Sequence, residues 1–297
     1  MIKLGMLDFD TSHVVEFARR LHHKDVAKEQ WVDGAEIVVA CPGESRIMPA
    51  RIPAYKNAIE KIGIPLVDRA TDMIGRVDGM LIEAQQGGVH WERARPFLEA
   101  GLPCFVDKPF TCSVADAKRL AALAEEKKVP IFSSSSLRYA PDLVQFMADP
   151  KRGKIWGAVT YGPAELHDLN PGFFHYGIHA VEVLYTLMGP GCQRVICTHE
   201  RDCDVVTGQW KDGRLATVRG IRSGKSGYGY LAFTEHGVQA VSIDTAYIYR
   251  ELLKKIVEMF QTKKAPLDVA VTVEIVAFIE AALKSGMNHG AGESLVI

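Results

Sequence analysis

The sequence predicts an α/β first half built on a parallel sheet, followed by an α+β second half built on a large, mostly antiparallel one. Three observations carry this. Residues 2–7 are mostly apolar, as a strand buried on both faces requires, and Val14, Val15, Phe17, Ala18 and Leu21 then follow with helical spacing. Short apolar strands alternate with helical stretches as far as Phe132, the pattern of repeated strand–helix–strand units. Beyond residue 157 the pattern changes to strands at about 158–163, 194–199, 204–210, 214–221 and 228–235. Asp212-Gly213 is a hairpin signal between two of them. The boundary is placed after Ser136, giving domains 1–136 and 137–297.

In order, the first domain reads as a strand at 2–7, a tight turn from Asp8 to His13 and a helix, which is a Rossmann opening. Glu36–Cys41 is the second strand, and the Pro- and Arg-rich stretch to Tyr55 reads as a long connection. A helix at 56–61, a strand at 64–67, a short helix at 71–75 and a strand at 79–82 follow. A helix from Trp91 to Ala100, a strand at 103–106, a helix from Ser113 to about Lys128 and a strand at 129–132 complete it. In the second domain, helices are expected at about 246–262 and 268–285.

Bulk properties exclude several classes. The 297 residues are 47% apolar and 24% charged, with a formal net charge of −1, so neither a nucleic acid nor an anionic membrane is expected as partner. No apolar run reaches the ~18 residues of a membrane span. The opening residues read as the first strand rather than a signal peptide. Six cysteines without a C-x-x-C pair are expected to be reduced, which implies a cytoplasmic setting.

The chemistry centres on Phe105-Val106-Asp107-Lys108-Pro109-Phe110, a lysine at the end of a buried strand. The carboxyl edge of a parallel sheet is where open α/β folds bind ligands. Proline at 109 restricts Lys108 and aims its ammonium. His90, a helix, Ala100-Gly101, a short strand and Asp107-Lys108-Pro109 together resemble the H…A-G…E-K-P signature of the glucose–fructose oxidoreductase / inositol dehydrogenase / MocA family. Asp107 stands where that family usually has Glu. Leu137-Arg138-Tyr139-Ala140-Pro141 resembles its R-[FY]-x-P segment, and Gly153–Gly157 its G-x-[IL]-G turn.

The resemblance implies a Rossmann domain and an α+β domain with a substrate cleft between them, binding NAD or NADP and oxidising or reducing a sugar, polyol or related carbonyl compound. It implies a homodimer or higher homo-oligomer. Lys108 would polarise the reacting oxygen, His179 would be the acid/base, and His175, where the family has Asp, would assist or contact substrate. Leu7, Phe9, Asp10, Thr11, Ser12, Gln85, Gln86 and His90 would line the cofactor, and Arg138 and Tyr139 would contact substrate. For His90, helix capping and packing is the alternative; for Arg138, a salt bridge.

Two features depart from the family. Its G-x-G-x-x-G turn appears here as Asp8, Asp10 and His13 at the glycine positions. A carboxylate ~4 Å from a diphosphate opposes it by roughly 4 kcal/mol at an effective dielectric of about 20. Two alternatives stand: Asp10, Thr11 or Ser12 caps the helix, or Asp8, Asp10 and His13 contact a metal or substrate. After the second strand, Glu44 suits the ribose of NAD, whereas Ser45 and Arg46 suit a 2′-phosphate. The second departure is His175 and His179, read as four apart on one helix face and so also a usable metal pair, with His167, Asp168 or Glu182 as a third ligand; no metal is assigned. The rival readings of the whole are a carbohydrate lyase, epimerase or hydrolase, and a non-catalytic sugar sensor, on the same scaffold.

Overall fold

The computed structural model describes residues 1–297. In chain order the elements are β1 (Ile2–Leu7), α1 (His13–Leu21), β2 (Ala35–Cys41), α2 (Arg51–Ile62), β3 (Gly79–Ile82), α3 (His90–Glu99), β4 (Cys104–Val106), α4 (Val114–Lys127) and β5 (Ile131–Phe132). There follow α5 (Pro141–Ala148), β6 (Ile155–Pro163), α6 (Ile178–Met188), β7 (Cys192–Glu200), β8 (Cys203–Trp210), β9 (Leu215–Ile221), β10 (Gly229–Thr234), β11 (Gly237–Ser242), α7 (Ile248–Thr262), α8 (Val269–Met287) and β12 (Glu293–Ser294). Two compact units result. Unit 1 is residues 1–111, 115–134 and 249–269; unit 2 is residues 112–114, 135–248 and 270–297.

Unit 1 holds a five-stranded sheet in the order β2-β1-β3-β4-β5, every pairing parallel. The apolar strand runs dictate this, because a parallel sheet is covered on both faces. Met80, Leu81, Ile82, Cys104, Phe105 and Val106 have no exposed surface. Phe105 lies between Phe17, 6.2 Å away, and Phe132, 5.6 Å away, so truncating it to alanine costs roughly 3–5 kcal/mol. Residues 249–269, which a linear division at 136 places in the second domain, pack in unit 1. The reason is local: the Phe260 ring occupies the space that a side chain at position 79 would need, and only glycine leaves it. The strand expected at 64–67 is a single bridge between Ala40 and Leu66. The helix expected at 56–61 begins earlier, at Arg51.

Unit 2 holds a seven-stranded sheet in the order β11-β10-β6-β9-β8-β7-β12. Only β6 and β9 pair parallel; the other pairings are antiparallel. Alternating burial along β6, β8 and β9 shows one covered face. Helix α6 packs on β6 and β9, with every residue from Ile178 to Tyr185 buried. On the other face, paired residues of neighbouring strands form the row Leu215, Gly157, Phe233 and Val238, whose three side chains are exposed. No helix is long and apolar enough to cross a membrane.

Candidate functional site

In unit 1 the sheet order reverses at β1, with β2 on one side and β3 on the other, so the carboxyl ends of β1 and β3 form the crevice typical of ligand sites. The turn from Asp8 to His13 starts there. The Asp8 and Phe9 amides donate to the carbonyls of Cys41 (3.0 Å) and Pro42 (2.9 Å), extending the β1–β2 pairing past its end. Asp8 has φ +66°, a left-handed conformation that Asp tolerates better than most residues. Its carboxylate sits 3.0 Å from Arg93 Nε. Burial nevertheless pushes its pKa up to about 7, outweighing the guanidinium.

Asp10 is committed as well. Its Oδ1 accepts from the Gln85 amide at 2.7 Å, and its carbonyl accepts from Arg51 at 2.8 Å. Burial raises its pKa, against hydrogen bonds from Ser45 and Gln85. The capping alternative is not what the fold adopts: Ser12 is the N-cap of α1 and makes no side-chain cap bond. Its hydroxyl pairs with Tyr249 at 3.0 Å instead. Thr11 Oγ1 is buried without a hydrogen-bond partner.

A dinucleotide diphosphate fits this turn on two counts. The first turn of α1 has no side-chain oxygen on its amides. Both carboxylates point at other partners, one cationic and one an amide. Leu7 and Phe9 are core side chains, 2% and 0% exposed, so their contribution to a ligand is limited to backbone.

Lys108 follows β4 and is largely buried, its amide donating to Asp107 Oδ1 at 2.7 Å. The Lys108–Pro109 peptide is cis. His90, expected to line the cofactor or else to cap its helix and pack, is fully buried and packed, with its ring bonded to loop carbonyls rather than to its own helix. Nδ1 faces the carbonyls of Pro109 (2.9 Å) and Phe110 (3.0 Å), and Nε2 faces that of Ala84 (2.7 Å). Burial lowers its pKa, although these carbonyls favour the charged ring. His90 ties the loop after β3 to the loop after β4 and so positions Gln85, Gln86 and Lys108.

In unit 2 the shared-face reading of His175 and His179 is corrected. A 3-10 turn spans Gly172–Phe174, His175 follows it at φ −74° and ψ −90°, and α6 starts only at Ile178. His175 is therefore outside the helix that carries His179. Its ring lies 5.3 Å from that of His167. His179 Nδ1 is 2.6 Å from Ser135 Oγ, which also accepts from the Leu137 amide at 3.1 Å. Ser135 is the orienting partner that the sequence reading passed over as a domain end.

For Arg138 the fold adopts the salt-bridge alternative. Its Nε and Nη2 both donate to Glu182 Oε2, at 2.8 and 2.5 Å, a buried pair that also removes Glu182 from the possible metal ligands. Tyr139 lies beside it, at the end of a 3-10 turn over Ser136–Tyr139.

Comparison with known proteins agrees with this architecture. Residues 45–135 match the model of the Gfo/Idh/MocA family, described as an oxidoreductase family with an NAD-binding Rossmann fold. The chain is 33% identical over 95 residues to the rhizopine catabolism protein MocA of Rhizobium meliloti, a match covering 31% of this chain and 30% of that protein. It is 26% identical over 137 residues to the D-apiose dehydrogenase of Paraburkholderia graminis, covering 45% and 35%. These matches span about a third of the curated relatives' length. Among solved structures, GenD2 from gentamicin A biosynthesis, in complex with NAD, superposes at a TM-score of 0.80 with 15% identity, over 100% of this chain and 97% of that one. The parallel sheet, the His90–Lys108 segment and the matched span coincide, so residues 45–135 carry the NAD-binding Rossmann pattern of the glucose–fructose oxidoreductase / inositol dehydrogenase / MocA family of oxidoreductases.

Proposed function

We propose that the protein is an NAD(P)-linked oxidoreductase acting on a sugar or polyol. One observation carries this reading: Lys108, inside the family-matched span, lies at the carboxyl end of β4 in a five-stranded parallel sheet. The sugar substrate of one relative and the NAD in one structural neighbour support the substrate and cofactor classes. The nicotinamide, when bound, accepts or supplies the hydride. Lys108 places a positive charge at the reacting oxygen and lowers its proton affinity. His179 exchanges the hydroxyl proton through Nε2, because Nδ1 is engaged by Ser135. His175 and Tyr139 contact the substrate, and Gln85 and Gln86 the cofactor. Leu215, Phe233 and Val238 offer an apolar strip for self-association into a homodimer or higher homo-oligomer, read by light scattering of the wild type and a V238K variant.

Titration calorimetry with NAD and NADP at millimolar concentration tests the reading and chooses between them; absence of heat with both rejects it. Lys108→Met is expected to lower turnover at least a hundredfold with the fold intact, as loss of one electrostatic donor does elsewhere. A second reading, a carbohydrate lyase, epimerase or hydrolase, is favoured by one observation. The Asp8 and Phe9 amides, which a glycine turn would present to a phosphate, are bonded to Cys41 and Pro42. Substrate consumption without net change in reduced-nicotinamide absorbance selects it.

A further inference from the structure

Behind the turn lies a group that the proposed chemistry does not use. His13, Glu83 and Asp107 come from the start of α1 and the ends of β3 and β4, and offer three ligand atoms all within 4.8 Å of one another. Every one is buried, with exposures of 3%, 0% and 0%. His13 Nδ1 is 3.0 Å from Asp107 Oδ1 and 3.6 Å from Glu83 Oε2. Yet His13 Nδ1, both Glu83 oxygens and Asp107 Oδ2 make no hydrogen bond. A buried carboxylate oxygen without a hydrogen bond is costly, by several kcal/mol, so three such oxygens converging on one buried imidazole nitrogen need an explanation.

We propose that His13, Glu83 and Asp107 form a binding site for one divalent first-row transition metal. The charges support this. Two carboxylates and a neutral imidazole carry −2, which a divalent cation cancels.

The distances support it as well. For metal–ligand bonds of about 2.1 Å, donor separations of 3.0 and 3.6 Å correspond to angles at the metal of about 90° and about 120°. These bracket the angles of octahedral and tetrahedral coordination. One imidazole with two carboxylates is a borderline donor set, suited to Zn²⁺, Mn²⁺, Fe²⁺ or Co²⁺ rather than to Ca²⁺. The His13 ring is fixed by stacking on Phe17 at 4.5 Å and by the edge contact with Tyr249 at 5.2 Å. The metal would tie the ends of β3 and β4 to α1 beneath the turn where a conventional fold has its third glycine.

The test reads metal, not turnover, so its outcome is independent of the proposed activity. Wild type, E83Q, D107N and H199N are expressed in cobalt-supplemented medium and purified in a mild chelator. The first-row divalent metals are then counted per chain by mass spectrometry, and cobalt is examined by visible absorption. H199N is the control, because His199 and Asp204 pair outside this cluster. The proposal expects about one metal per chain in wild type and H199N, and at least a tenfold loss in E83Q and D107N. If one acidic variant fails to fold, the other decides. Wild type without stoichiometric metal, or full occupancy in a folded E83Q or D107N, overturns the proposal.

Discussion

Asp8→Asn isolates the energetic consequence of placing an acid where the family has a glycine. The Asp8 carboxyl has a pKa pushed up to about 7 from an ordinary value near 3.8, because burial outweighs the attraction of Arg93. An acid whose folded pKa lies above its unfolded pKa binds its proton more tightly when folded. Its ionisation therefore subtracts from stability. The penalty is absent below the unfolded pKa, grows as pH rises through the interval from about 4 to about 7, and is complete above that. Between pH 5 and pH 8 the two pKa values give a loss of roughly 2–3 kcal/mol, to order of magnitude. Asparagine has nearly the same shape, tolerates the left-handed backbone at φ +66° and carries no charge to desolvate. Urea unfolding of wild type and D8N at pH 5, 6, 7 and 8 measures the difference. D8N is expected to exceed wild type by about 1–2 kcal/mol at pH 5 and by increasingly more toward pH 8. A D8N protein that becomes progressively less stable than wild type as pH rises would show that the ion pair with Arg93 wins, and would refute the argument.

Three further outcomes follow from the same geometry. Glu182→Gln removes the anionic partner of buried Arg138 and is expected to cost roughly 3–5 kcal/mol in urea unfolding; a loss under 1 kcal/mol contradicts the buried pairing. His90→Leu leaves the carbonyls of Ala84, Pro109 and Phe110 without the ring that joins them, and should destabilise by roughly 1–3 kcal/mol per orphaned group. Ser135→Ala frees His179 Nδ1, so kcat should fall about tenfold or more while KM holds; an equal rise in KM would assign Ser135 to substrate binding.

Much of the fold was legible because it rests on periodic burial. The strands of unit 1 are continuous apolar runs, those of unit 2 alternate, and Asp212-Gly213 marks the hairpin joining β8 to β9. Lys108 was legible because a proline and a strand end bracket it. The partners of the candidate residues were not. Arg138 reads in sequence as either a substrate contact or half of a salt bridge, and only the fold supplies Glu182, 44 positions away, as its partner. His175 has helical spacing to His179, but the helix starts only at Ile178, so spacing alone misjudged its face. Glu83 gave a readable hint, an acid straight after the apolar run Met80-Leu81-Ile82, but not its proximity to His13 and Asp107.

Residue order alone thus determined the architecture and the family resemblance of residues 45–135, since both depend on local patterns of apolar spacing and short motifs. Which polar group faces which was decided only by the tertiary structure. Buried charges choose partners by distance in space, and folding brings Asp8 to Arg93, His13 to Asp107 and α7 to β3 across separations along the chain that no local pattern encodes.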